Sequence, residues 1–416
     1  MRNWKNVALG VGGVVFALIG LMGSAGLSDE GKPTRGDAAV ALRSARLYIQ
    51  QHLWDKAQEQ LQIAVKGDPS SAEAHFLLGS IYADRDSVEQ MNRHFDLAMK
   101  LKAKKYGKDI QARRDRVWTQ HYNSGVRAIQ KERLEDALKE FSLAVQVDST
   151  RADGYKSLGL AYLRLDRTEQ GIEAYEKALA MDPRDKNAHV NLGIAYHNAG
   201  RPEKEVGAFE AAARLDPKSA DVMSKLVMGY ESLAAATEDS ARAAALYDSA
   251  MSACERALAL DPKNAKVAVT AGRLHLNRAI HLATTATRED AMPFYEKAEG
   301  YLKTAVELNP KDGPSMFNLG LCYSHQEKFD EAVGVFRKAV ALDPKDVDSW
   351  AQIGLIQVRQ KDLDGAIETF REVTAIQPDH VRAWELLASL YAQKDMVKKA
   401  READATAQAL KDQAEN

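Results

Sequence analysis

From Ala38 onward, hydrophobic and small residues return in the same order about every 34 positions. The stretch 313–346 shows the unit most plainly. Met316, Leu319, Gly320 and Tyr323 fall three and four apart, which places them on one face of a helix. Ala332, Phe336 and Ala339 do the same for a second helix. Asp343-Pro344 closes it, because proline lacks the amide hydrogen and clashes with the preceding turn.

Small residues show how the two helices of a unit meet. Antiparallel helices approach closely only where one of them presents Gly or Ala at the crossing. The eighth position of successive units is Ala45, Gly79, Gly125, Gly159, Gly193, Val227, Gly272, Gly320, Gly354 and Ala388. The twenty-seventh is Ala in every unit from Ala64 to Ala407 except at Val373. Tyr recurs at position eleven, for example Tyr48, Tyr162, Tyr196 and Tyr323, and prolines from Pro69 to Pro378 end the second helices.

This pattern closely resembles the tetratricopeptide repeat, a helix–turn–helix unit of 34 residues. The resemblance covers 38–414, with units at 38–71, 72–105, 118–151, 152–185, 186–219, 220–264, 265–312, 313–346, 347–380 and 381–414. It implies an all-α fold, a right-handed α-solenoid of about ten repeats. In this family the first helices of successive repeats line a concave surface that takes extended or helical peptides.

Several departures carry information. Residues 106–117 add twelve positions between the second and third units. The sixth and seventh units are longer by eleven and fourteen residues, around Ala234 to Leu246 and Ile280 to Phe294. Their Ala, Glu, Arg and Leu content predicts longer helices and not loops. Glu205 stands where the fifth unit should have a small residue, which predicts a locally looser helix pair. In the last unit Asp404 takes a position usually aromatic, and Lys398, Lys399, Arg401 and Glu402 crowd the second helix, as suits a solvated end.

Residues 1–37 differ from everything after them. Arg2 and Lys5 precede an uncharged stretch, Val7 to Leu27, and Asp29, Glu30, Lys32 and Arg35 follow it. Twenty-one apolar residues suffice to cross a bilayer as a helix, which predicts a transmembrane anchor over 7–27. The cationic tail would stay in the cytoplasm, putting the repeats in the periplasm or otherwise outside the cytoplasm. Gly23 and Ala25 leave a cleaved signal, and release into the periplasm, as the alternative. The pairs Ala8/Gly12, Gly13/Ala17 and Gly20/Ser24 would suit close packing of two such helices in a homo-oligomer, though chance explains them equally well.

Composition narrows the function classes. The net charge of −2 offers no basic excess for a phosphate backbone, so nucleic acid is not an expected partner. The one basic run, Lys100 to Arg116, is expected to be a solvated helix face. Cys254 and Cys322 belong to no metal or redox motif and fit as buried thiols. The ten histidines are scattered, with His189 and His197 in one unit but at no ligand spacing. No phosphate loop, dinucleotide fingerprint or nucleophile elbow appears, and the repeats leave no room for a separate catalytic domain. Neither catalysis, a metal nor any other cofactor is expected.

What remains is recognition of protein or peptide partners by the first helices. Position six supplies Asn123, Asn191 and Asn318, whose amides can bond a peptide backbone. Position nine, often polar in the family, supplies Val126, Leu160, Ile194, Met228, Leu321 and Leu355, with Arg273 interrupting. These form either an apolar stripe for an amphipathic peptide or a seam that packs against the neighbouring repeat. Lys156, Asn191 and Lys225 occupy three positions of the family's carboxylate clamp, but Leu160 and Asp221 stand at two others, so that clamp is incomplete. The expected function is a membrane-tethered scaffold. The alternative is a released periplasmic chaperone-like or envelope assembly factor of the pilus, cytochrome or outer-membrane biogenesis type.

Overall fold

A computed structural model describes residues 33–415, and among them the regular structure is entirely helical. Nineteen helices follow one another. The first seven are α1 (Arg35–Gln50), α2 (Trp54–Gly67), α3 (Ala72–Asp84), α4 (Val88–Gln130), α5 (Leu134–Val147), α6 (Ala152–Arg164) and α7 (Thr168–Met181). Then come α8 (Lys186–Asn198), α9 (Pro202–Leu215), α10 (Ala220–Ala235), α11 (Ser240–Leu260), α12 (Ala265–Thr285) and α13 (Arg288–Leu308). The last six are α14 (Gly313–His325), α15 (Phe329–Leu342), α16 (Val347–Arg359), α17 (Leu363–Ile376), α18 (Val381–Gln393) and α19 (Val397–Glu415). The helices up to Arg184 form one compact unit, and those from Asp185 form a second. The apolar stretch 7–27, with its expected anchor or signal, lies outside the described residues. Among the described residues no helix is long and apolar enough to cross a membrane.

Helix starts and stops follow local chemistry. Ser71, Asp185, Ser219, Asn264 and Asp346 each accept a hydrogen bond from the amide three residues on, capping a first helix of a pair. Most second helices begin differently, straight out of a turn whose central residue is left-handed. At Asp166 (φ 56°) the amide donates to the Leu163 carbonyl at 3.2 Å, and the Arg167 amide donates to Tyr162 at 2.9 Å. That pair of bonds closes a Schellman motif over the end of α6. The same left-handed residue recurs at His52, Asp86, Glu132, Gly200, Glu327, Lys361 and Asp395. Only one of these eight is glycine, so the period of the turn is hidden in the sequence.

The α10–α11 and α12–α13 hairpins depart from this scheme. They hold the extra residues of the sixth and seventh units, which are helical apart from the connections 236–239 and 286–287: α11, α12 and α13 run 21 residues each. Asp239 caps α11, and Thr287 with Asp290 forms a capping box on α13. The twelve residues 106–117 are helical too, inside the long α4, which bends at Lys102 (φ −148°, ψ 60°). Tyr106, Ile110 and Val117 bury against Phe95 and Trp118. Within the basic run, Arg114 pairs with Asp96 at 2.6 Å and Arg116 with Asp84, while Lys100 to Lys105 stay exposed.

Packing within each hairpin turns on one contact. A Cβ added to Gly193 would lie 2.4 Å from Phe209 of the facing helix, closer than atoms can approach. Gly79 faces Phe95, Gly125 faces Phe141, Gly159 faces Tyr175, Gly320 faces Phe336 and Gly354 faces Phe370 in the same way. Glycine is needed because a large ring, almost wholly buried, fills the crossing. Where the second helix carries a smaller side chain, the first varies: Gly272 still meets Leu302, at 2.5 Å from an added Cβ, but elsewhere the position is larger. Ala45 shares its core with Leu61, and Val227 shares its core with Cys254.

Candidate peptide-binding face

In the first unit Asn123 and Val126 sit on α4, and Lys156 and Leu160 on α6. In the second unit Asn191 and Ile194 sit on α8, Met228 on α10, Asn318 and Leu321 on α14, and Leu355 on α16. All therefore occupy first helices of a pair. Asn123 and Val126, Asn191 and Ile194, and Asn318 and Leu321 are each three residues apart, one turn of one helix face. Asn123 is exposed, while Asn191 and Asn318 are half-buried. Among the described residues these three side chains make no hydrogen bond of their own, so donors and acceptors remain beside an apolar neighbour.

The apolar residues are not equivalent. Val126 rests on the core around Phe141 and Leu158, and Ile194 and Met228 rest on the core around Phe209 and Met223. Leu321 and Leu355 likewise pack against the cores that contain Phe336 and Phe370. All five are half-buried. Leu160 differs: it is 41% exposed and joins no core cluster. Five residues thus combine a packing role with a partly open edge, whereas Leu160 is exposed and belongs to no core.

Charges along this face are already engaged locally. Lys156 Nζ lies 2.7 Å from Asp153, and Lys225 Nζ lies 3.4 Å from Asp221, both on their own helices. Arg273, which interrupts the apolar series, pairs with Glu231 of α10. The two clamp-position lysines are therefore held in intrahelical pairs, worth a few tenths of a kcal/mol each.

Several groups with perturbed ionisation lie in or beside the hairpin cores. Burial pushes the Cys254 thiol up to about 12 and the Cys322 thiol up to about 11, which keeps both as poor nucleophiles at neutral pH. Burial, with His75 and Arg93 adding repulsion, lowers His94 to about 4, and its Nδ1 is 2.9 Å from that of His75. Burial alone would raise Glu299, but hydrogen bonds from Lys303, Lys328 and Gln326 outweigh it and hold the carboxyl at about 2. Among the described residues, no three or more His, Cys, Asp or Glu side chains gather as a metal would need.

Glu205 was expected to loosen the fifth pair, and the structure shows how it is accommodated. The side chain is fully buried in α9, with Oε1 3.1 Å from His197 Nδ1 of α8. Its other oxygen has no partner, and burial raises its pKa. An acid in a small-residue position is visible in the sequence. The histidine eight residues earlier, which the hairpin folds back onto it, carries no such signal.

One model of the tetratricopeptide repeat matches residues 42–90, 157–220 and 352–415, and a second model of the same repeat matches 314–346. No curated protein matches the chain in sequence. Among solved structures, one similar to it is that of YrrB, described as a TPR protein with an unusual peptide-binding site. That match has 23% identity and a TM-score of 0.42, and covers 54% of this chain and 99% of YrrB. MamA from Desulfovibrio magneticus is 21% identical with a TM-score of 0.38, covering 47% of this chain and 97% of the other. A thermophilic TPR protein of Thermus thermophilus is 21% identical with a TM-score of 0.32, covering 50% and 99%.

Proposed function

The chain carries tetratricopeptide repeats, and from this premise we propose that it is a non-catalytic scaffold that binds protein or peptide partners along its first helices. The observation that carries the reading is the pairing of an uncommitted Asn amide with an apolar residue one turn on, at Asn123/Val126, Asn191/Ile194 and Asn318/Leu321. An extended or amphipathic peptide needs both features: a partner for its backbone and an apolar ledge for its side chains. Lys156 and Leu160 would extend the first unit's face, and Met228 and Leu355 the second's. We read the helices as ten repeats with the boundaries given above. Ten helix pairs support that count once α4 is divided at its bend, and so do eight left-handed turns at matching places.

In this proposal residues 7–27 tether the scaffold to the inner membrane, with the repeats outside the cytoplasm; the support is the length and apolarity of that stretch. Mass spectrometry of the mature N-terminus separates a retained anchor from a cleaved signal. The binding reading is tested by crosslinking in cells that express either the natural chain or the triple variant Leu160→Glu, Asn191→Ala, Asn318→Ala. Loss of the crosslinked partners with an unchanged far-ultraviolet spectrum supports the proposal. Unchanged partner recovery from the folded triple variant would sink it.

A further inference from the structure

The lengthened helices α11 and α12 line a cavity of about 590 Å³, within the range that small-molecule sites occupy. Its two walls differ in chemistry. The α11 wall presents Ala243, Ala244, Tyr247 and Met251. The α12 wall presents Arg273, Asn277, Arg278 and His281. An apolar wall opposite a cationic, amide-bearing one suits a ligand that is itself divided between an apolar chain and an anionic head.

The cations retain capacity for such a head. Arginine has five N–H donors. Arg278 has an ion pair of 3.7 Å with Asp248, too long for a hydrogen bond, and its Nε has no hydrogen-bond partner. Arg273 gives a terminal nitrogen to Glu231. Asp248 is half-exposed and Glu231 is partly buried, so two acids already stand close to the two arginines. A singly charged head is therefore favoured over a doubly charged phosphate, which both acids would repel. A planar carboxylate also matches the guanidinium fork.

We propose that this cleft binds a small amphipathic carboxylate, with its chain along Tyr247 and Met251 and its head held by Arg278, Asn277 and Arg273. The extra residues of the sixth and seventh units supply one end of the cleft, Ser240 to Ala244 and His281, and the site is separate from the peptide face of the first helices, except that Arg273 borders both.

The test uses the full chain and calorimetric titration with octanoate, 1-octanol, acetate and octyl phosphate. Octanoate should bind saturably at one site, with 1-octanol and acetate each at least about ten-fold weaker. A charge-assisted hydrogen bond is strong enough that Arg278→Gln should weaken octanoate about ten-fold or more. Ala244→Trp, which fills the cleft from the opposite wall without removing a charge, should abolish binding, and far-ultraviolet spectra check that both variants fold. The proposal is overturned if 1-octanol binds as tightly as octanoate, if octyl phosphate binds more tightly, or if octanoate uptake does not saturate. It is equally overturned if either folded variant binds octanoate as the natural chain does.

Discussion

Gly193→Ala isolates the contact that sets the spacing of the α8–α9 hairpin. Two effects oppose each other. In a helix interior alanine is favoured over glycine by up to about 1 kcal/mol. Against that, the added Cβ would lie 2.4, 2.6 and 2.9 Å from three carbons of the Phe209 ring, which is fully buried. Carbon atoms prefer about 3.5–4 Å, so the ring or the helix has to move by about 1 Å in a close-packed core. Overpacking of this kind costs about 1–3 kcal/mol. The net expectation is destabilisation by about 1–2 kcal/mol, with the larger overpacking cost winning. Gly207, on α9 of the same hairpin, provides the control, because nothing lies within 4 Å of a Cβ there. Gly207→Ala should stabilise by up to about 1 kcal/mol.

Replacing the ring tests the cause. In a Phe209→Leu background the smaller and more flexible side chain yields more easily than the ring, so Gly193→Ala should cost clearly less there; Ala45 is natural in the hairpin that has Leu61, although Gly272 still stands against Leu302. The resulting coupling between the two sites should exceed about 1 kcal/mol. Repeat arrays open locally, so a single melting temperature is a poor readout. Native-state amide exchange of α8 and α9 reports the local opening free energy directly. The reasoning fails if Gly193→Ala slows exchange in the natural background, or if it has the same effect with Phe or Leu at 209.

Three further outcomes are expected. Asp166→Gly and Lys361→Gly, at φ of 56° and 61°, should each stabilise by a few tenths to about 1 kcal/mol in exchange measurements, whereas Gly200→Ala (φ 64°) should destabilise its turn. For Glu205, whose folded pKa is raised by burial above the ordinary value of 4.5, the folded state holds more protons than the unfolded chain in the window above 4.5. Its contribution is full below that value and is lost as pH rises through the folded pKa. Glu205→Gln should therefore be more stable than the natural chain at pH 8, with the advantage gone at pH 4 in urea titrations; equal gains at both pH values would refute this. Leu160→Glu should leave exchange in α6 within about 0.5 kcal/mol of the natural chain, whereas Ile194→Glu should cost at least about 1 kcal/mol in α8, because only Ile194 rests on a core cluster.

Much of the architecture was legible from spacing alone. A return every 34 residues of Gly or Ala at one position and Ala at another dictates paired helices, since only small residues allow the approach that the recurring rings then fill. Helix-forming composition also predicted that the extra residues around Ala234 and Ile280 would lengthen helices, and α11, α12 and α13 are long. Tertiary structure decided matters that depend on what a neighbouring element does. Periodicity gives Leu160 and Ile194 the same place on their helices, but only the surrounding cores determine that one is exposed and the other half-buried. The turns were illegible because Asp, Glu, Lys and His adopt the left-handed conformation there, so the expected glycine signal is missing at seven of eight places. Glu205 met His197, and the α12 arginines came to face the apolar side of α11, only because chain folding brings together residues whose separation has no period. Local pattern specifies each helix face, whereas burial and charge pairing belong to the space between helices.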